Sequence, residues 1–179
     1  NNGSLSGRVV VDIQCCGNDT VFLCSDNTVH TVGRNDEGAG GVGNTNIQFN
    51  ITNITNNGSL NNRTVDLISC SGSTVHVRCT DGTIHGWGKA NTGMVGDNQT
   101  TARTLPVNIS NSGALAGETV TMFSDSSATT IAAKFAIVND GKGILSWGWN
   151  QQYVLGDGTT TQRNAPVDVT TNIFTALDP

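Results

Sequence analysis

Charge is scarce in this chain. Only 13% of its 179 residues are Asp, Glu, Lys or Arg, and the balance is −5. That share is about half of what a typical domain carries. Nucleic acid is gripped by a basic stripe, so an acidic, sparsely charged chain argues against an electrostatic nucleic-acid binder. Proline is limited to 3 residues, methionine to 2 and tyrosine to 1. No run approaches the roughly 18 apolar residues of a membrane-spanning helix. Neither an initiator Met nor a signal peptide stands at Asn1, which reads as a mature product or a fragment. Catalytic signatures are missing too. There is no nucleophile elbow and no phosphate loop, since the Gly41–Asn44 loop has no following Lys. No close C-x-x-C pair offers a zinc site, and the three histidines are scattered. The expectation is a protein that is not an enzyme and holds no metal or cofactor.

What is present is neutral and polar: 22 Gly, 21 Asn, 24 Thr and 13 Ser. It is also periodic. Gly3-Ser4-Leu5 returns as Gly58-Ser59-Leu60 and Gly113-Ala114-Leu115, a step of 55 residues each time. Residues 28–33 (TVHTVG) return as 83–88 (TIHGWG) and again, after an insertion of 5, as 143–148 (GILSWG). Asn53-Ile54-Thr55, Asn108-Ile109-Ser110 and Asp168-Val169-Thr170 mark the ends. The chain therefore divides into repeats at 1–55, 56–110 and 111–171, with a tail at 172–179.

Each repeat reads as short strands. Residues 8–15 (RVVVDIQC) and 20–24 (TVFLC) are β-branched or apolar and flank a Gly17-Asn18-Asp19 turn. Asp81-Gly82 is a hairpin signal, with Asp140-Gly141 and Asp26-Asn27 as counterparts. A fourth run closes each repeat at 48–51, 105–109 and 166–169. No window carries helical periodicity. The predicted fold is all-β, with three four-stranded blades of β-propeller type. Its predicted core includes Val10, Ile13, Val65, Ile68, Val75, Val77, Trp87 and Trp147.

Residues 146–160 (SWGWNQQYVLGDGTT) followed by Ala165-Pro166-Val167 resemble the repeat of the regulator of chromosome condensation family. Trp87-Gly88, Gly96-Asp97 and Leu105-Pro106-Val107 form a second match. Residues 13–17 (IQCCG) with Ser25-Asp26 match the strand-turn-strand opening, although Val32 replaces the tryptophan in repeat one. The resemblance implies seven-bladed propellers of four-stranded blades, of which this chain supplies three. It implies Trp147 as a core tryptophan. For function it implies a scaffold for protein contacts, with GTPase nucleotide exchange confined to one member and enzyme inhibition to a secreted bacterial one.

Eight Asn-x-Ser/Thr sequons occur, at Asn2, Asn18, Asn50, Asn53, Asn57, Asn62, Asn98 and Asn108. Random placement of these residues gives roughly four. Two readings stand: glycan acceptors on a secreted protein, or Asn and Thr acting as turn and strand formers. The cysteines carry the same choice. Cys15 and Cys24 bracket one hairpin, and Cys70 and Cys79 bracket its repeat. Pairing about a four-residue loop would set each couple opposite, as two disulfides within blades; the alternative is buried free thiols, which the resembled family often carries in that strand. Cys16 is left as a free thiol or a link to another chain. Gly96-Asp97 and residues 156–159 (GDGT) read as turn devices rather than cation sites, and His30 and His85 as structural.

No sequon follows Asn108, and the sugar-free third repeat carries Trp149 and Tyr153, aromatics without equivalents in the other copies. They are either an interface or local packing under the insertion near 124–143. The expected role is an extracellular, N-glycosylated structural glycoprotein, assembling with itself or another extracellular protein, with a subunit of a surface appendage or filament as its concrete form. The alternatives are a secreted protein- or glycan-binding module and an intracellular small-GTPase regulator.

Overall fold

The computed structural model describes residues 3–125 and 133–170. Asn2, the middle of the insertion and the tail lie outside the described residues. Each repeat is one antiparallel meander of four strands. The first comprises β1 (Val10–Cys16), β2 (Asp19–Cys24), β3 (Val29–Gly33) and β4 (Gln48–Asn53). The second comprises β5 (Val65–Ser71), β6 (Thr74–Cys79), β7 (Ile84–Gly88) and β8 (Arg103–Asn108). The third comprises β9 (Val120–Asp125), β10 (Ala133–Val138), β11 (Gly143–Gly148) and β12 (Arg163–Asp168). A short 3-10 turn opens each repeat, at Gly3–Leu5, Gly58–Leu60 and Gly113–Leu115. A fourth, Asn139–Gly141, stands where a tight Asp140-Gly141 hairpin turn was expected.

The sheets stack because each has an apolar face to hide. β1 lies against β5, and β5 against β9. Val21, Leu23 and Val29 of the first sheet meet Ile68, Val75, Val77 and Trp87 of the second. Ile84, Val95 and Ile109 of the second repeat meet Val120, Ala136 and Trp147 of the third sheet. The two tryptophans are fully buried and do the same job. Trp87 Nε1 donates to Ala39 O at 2.8 Å, and Trp147 Nε1 donates to Met94 O at 2.9 Å. Each indole reaches its carbonyl only because the preceding repeat offers a bare backbone. A Cβ on Gly41 or Gly96 would lie 2.9 Å from the indole nitrogen.

Six of the eight expected core residues are buried; the two from β1 are corrected. Ile13 is 56% exposed and Val10 is only half-buried. Both belong to the first sheet, whose leading face has no neighbour among the described residues. Their repeat counterparts Ile68 and Val65 are covered by the first sheet itself.

The cysteine pairing is also corrected. Neither Cys15–Cys24 nor Cys70–Cys79 is bonded. The disulfide joins Cys16 to Cys70 across two sheets, with Cα atoms 5.3 Å apart, and Cys15, Cys24 and Cys79 are free thiols. Turn length is the reason. Cys16 pairs with Asp19 and Ser71 with Thr74, so each turn holds two residues rather than four. Gly72 and Ser73 both take positive φ, as a tight hairpin turn of this length requires. That centres the hairpin early. Cys24 falls opposite Val10, and Cys79 opposite Val65, at the far ends from Cys15 and Cys70.

Closing a loop with a sequence separation of 54 removes about 4 kcal/mol of unfolded-chain entropy. Reducing agent should therefore lower the stability of the parent protein by about 2–4 kcal/mol. The Cys16→Ser variant should begin at that lower value and not respond to reductant, which denaturant titration with and without dithiothreitol would read.

Candidate functional site

Among the described residues no group of three or more His, Cys, Asp or Glu side chains could hold a metal ion. The chemistry is concentrated at the junctions between sheets and on the two outer faces. The first junction is closed by the Cys16–Cys70 bond. One step of 55 places Ser71 where Cys16 stood, and the second junction is closed differently. Lys134, fully buried on β10, donates from Nζ to Ser71 Oγ at 2.6 Å and to Ser71 O at 3.1 Å. Beside it His76 sets its ring edge-on to Trp147, with centroids 5.4 Å apart, and bonds Val95 O through Nε2. No sequence signal distinguished Lys134 from an exposed strand lysine.

His30 and His85 are structural, and their partners repeat. Ser4 Oγ and Thr28 Oγ1 hold His30 Nδ1 and Nε2, at 2.6 and 2.8 Å. Ser59 Oγ and Thr83 Oγ1 hold His85 in the same way, at 2.6 and 2.9 Å. Repeat three drops the arrangement, with Ala114 and Leu145 in these places. Burial pushes the pKa of His85 down to about 4, with the Arg63 charge adding to it. His30 moves in the same direction through burial and then Arg8.

The Gly-Asp turns are turn devices, as expected. In repeat three, Asn150 Nδ2 donates to Asp157 Oδ1, Thr159 O and Thr161 O, at 2.9–3.0 Å. Arg163 Nε closes on Asp157 Oδ2 at 2.6 Å. Burial opposes ionisation of Asp157, yet Arg163, Asn150 and Thr159 together hold its carboxyl down to about 2. Arg103 and Asp97 form the same pair in repeat two. These carboxylates are spent on the loop.

The sequon asparagines are mostly presented to solvent. Asn18, Asn50, Asn53, Asn62, Asn98 and Asn108 are exposed. Asn57 is half-buried, and its Nδ2, the atom a glycan would occupy, donates to Gly41 O at 3.0 Å. Asn53 and Asn108 also have a local task. Their Oδ1 atoms accept from the amides of Thr55 and Ser110, at 2.8 and 2.9 Å. Asp168 accepts from Thr170 in the same way, without any sequon. The Asn-x-Ser/Thr recurrence at these two positions thus has a structural cause in a side-chain turn.

Trp149, in the loop just after β11, is half-buried. Tyr153 is 64% exposed and sits at φ +59°. It occupies the place of Gly38 and Gly93, which hold the same turn with positive φ. An exposed, bulky residue in that conformation costs of order 1 kcal/mol or more.

These features define a class: stacked four-stranded propeller blades sealed by a tryptophan at each junction. Residues 143–175 match the regulator of chromosome condensation (RCC1) repeat. Among solved structures, human WBSCR16 superposes with a TM-score of 0.71 at 21% identity, over 89% of this chain and 37% of its own. Prp20p from Saccharomyces cerevisiae, described with its binding to Gsp1p and histones, gives a TM-score of 0.73 at 18% identity, over 89% of this chain and 38% of its own. The same yeast RCC1 bound to Kap60 gives 0.67 at 15% identity. The chain has the fold of RCC1-type propeller repeats and spans a little over a third of the length of these structures.

Two outcomes follow from this geometry. The unfolded chain binds a proton on His85 near pH 6.5, while the folded chain does so only near 4. Stability should thus be full above about pH 6.5 and fall by up to about 3 kcal/mol as pH drops towards 4. Denaturation across that range should show the slope, and the Ser59→Ala/His85→Leu pair, which copies repeat three, should flatten it. Separately, Tyr153→Gly should raise stability by about 1 kcal/mol by relieving the backbone, read as a shift in melting temperature.

Proposed function

We propose that this chain is a non-enzymatic, extracellular, N-glycosylated assembly module, built to make protein contacts through the outer faces of its blades. The observation that carries the reading is the Cys16–Cys70 bond at the first junction. Structural disulfides persist in oxidising compartments and are rare in the cytosol. Six exposed sequon asparagines in repeats one and two agree with it. Sugar-free repeat three, with Trp149 and Tyr153, supplies surface that a neighbour can approach. A filament or surface-coat subunit is the concrete form, since stacked sheets with uncovered ends propagate by adding copies.

A second reading is a secreted binding module. Tyr153 favours it, because a strained and exposed aromatic is the kind of residue a recognition surface keeps. Prp20p's binding to Gsp1p and histones lends fold-level support to a protein partner. It also keeps open a GTPase regulator, which would require reduced cysteines and bare asparagines.

Peptide mass spectrometry of the native protein after enzymatic deglycosylation in heavy-oxygen water tests the proposal. The label is expected on most of Asn18, Asn50, Asn53, Asn62, Asn98 and Asn108. Asn57 should be spared, because its amide is engaged. Unlabelled asparagines throughout would defeat the extracellular reading. Electron microscopy of native material separates a polymer from a monomeric binding module.

A further inference from the structure

We propose that the cleft between repeats two and three is a saccharide subsite, in which the first N-acetylglucosamine of an N-linked chain on Asn108 lies against Asn98 and Asn111. The inference deepens the glycosylated reading above and rests on it.

The cleft exists because one side chain shrinks between repeats. At both junctions the rim is built alike. The amide of Gly43 donates to Thr104 O at 2.8 Å, and 55 residues on the amide of Asn98 donates to Asn164 O at 2.9 Å. Asn57 Nδ2 reaches Gly41 O at 3.0 Å, and Ser112 Oγ reaches Gly96 O at 2.5 Å. Gly58 and Gly113 both take φ +52°, and a Cβ on them would lie 2.4 and 2.3 Å from Pro106 O and Pro166 O. What differs is the residue before that proline, which is Leu105 at the first junction and Ala165 at the second. Leu105 fills the first rim: its side chain lies 3.6 Å from where a Cβ on Gly43 would stand and 3.2 Å from one on Gly58. Ala165 stops at its methyl. Over it opens a cleft of about 630 Å³, lined also by Asp97, Asn98, Asn108, Asn111, Ser112 and Gly113. Small-molecule sites occupy roughly 300–1,000 Å³.

The lining suits a neutral ligand rich in hydroxyls. Its carboxylate, Asp97, is closed on Arg103 Nε at 2.5 Å and is spent on that pair. Three asparagines and a serine remain, and a side-chain amide offers donors and an acceptor side by side. Ring hydroxyls and an acetamido group call for that mixture. Ala165 and the bare backbone of Gly113 leave a strip for the C–H face of a sugar ring. Asn98 and Asn108 are themselves sequon residues, so the saccharide has an attachment point within the cleft. Asn108 is the anchored one. Its Oδ1 is held by the Ser110 amide at 2.9 Å, so a sugar on Nδ2 hangs from a fixed amide plane. Asn53 is held in the same way by the Thr55 amide at 2.8 Å, but its junction is the one that Leu105 fills. The molecule thus carries its own control.

A docked sugar is withheld from a glycosidase, because release tracks the undocked fraction when docking is fast. Two or three net hydrogen bonds favour the docked form by about tenfold or more.

The test is the time course of peptide-N-glycosidase release from the native, folded glycoprotein in heavy-oxygen water, read site by site by mass spectrometry. Asn108 should be released about tenfold more slowly than Asn53, and denaturation should abolish the difference. Ala165→Leu, which copies the first junction, should bring Asn108 to the rate of Asn53, and Asn111→Ala should bring it part of the way. Leu105→Ala gives the reverse reading should Ala165→Leu not fold: it opens the first cleft and should slow release at Asn53. Equal release at the two sites, protection that persists in Ala165→Leu, a bare Asn108 beside a glycosylated Asn53, or protection at Asn98 in place of Asn108 overturns this inference and leaves the glycosylated reading standing. Bare asparagines at every sequon overturn both.

Discussion

The contact on which the stacking depends is an indole laid over a glycine of the preceding repeat. Trp87 reaches Ala39 O over Gly41, and Trp147 reaches Met94 O over Gly96. Each contact buries the largest side chain of its sheet and satisfies its single polar atom. It also sets how closely two sheets approach, because the glycine leaves no side chain to hold them apart. Around it the β-branched residues of both faces interlock. Repeat one, which has Val32 at this position, presents a face that no other described residue covers.

The two junctions share that geometry but not their fastening. The first is covalent, through Cys16 and Cys70. The second buries the Lys134 ammonium against Ser71, which holds the place of Cys16 one repeat on. A buried cation survives only with oxygen partners around it, so this junction relies on hydrogen bonding where the first relies on a cross-link. Histidine follows the same division. His30 and His85 are clamped between hydroxyls in repeats one and two, and repeat three substitutes Leu145. Repeat three is thus the outlier in junction chemistry, in the loss of sequons and in its rim aromatics.

Turn chemistry accounts for part of the asparagine richness. Asn53 and Asn108 cap the end of a repeat through their side-chain oxygens, a task Asp168 performs as well. Both residues are exposed, so the same residue can shape the turn and remain open to a sugar. Asn57 uses its nitrogen to tie two repeats together, which sets it apart from the other sequons.

By itself the sequence determined the three repeats, their four strands each, and the tryptophan and glycine that recur. These are written locally, in residue spacing and in alternation along a strand. It also determined that the Gly-Asp turns are loop devices, since polar side chains two residues apart find their own backbone. Cysteine pairing was decided only in three dimensions. A turn two residues shorter moves every partner along the hairpin, so Cys24 and Cys79 leave their expected mates and Cys16 finds Cys70 on another sheet. Burial of Ile13 was likewise beyond the pattern, because alternation tells which face is apolar and not whether a neighbour covers it. Lys134 makes the same point from the opposite direction: its spacing is that of a solvent-facing lysine, and only the approach of Ser71 from a sheet 63 residues earlier makes it a core residue.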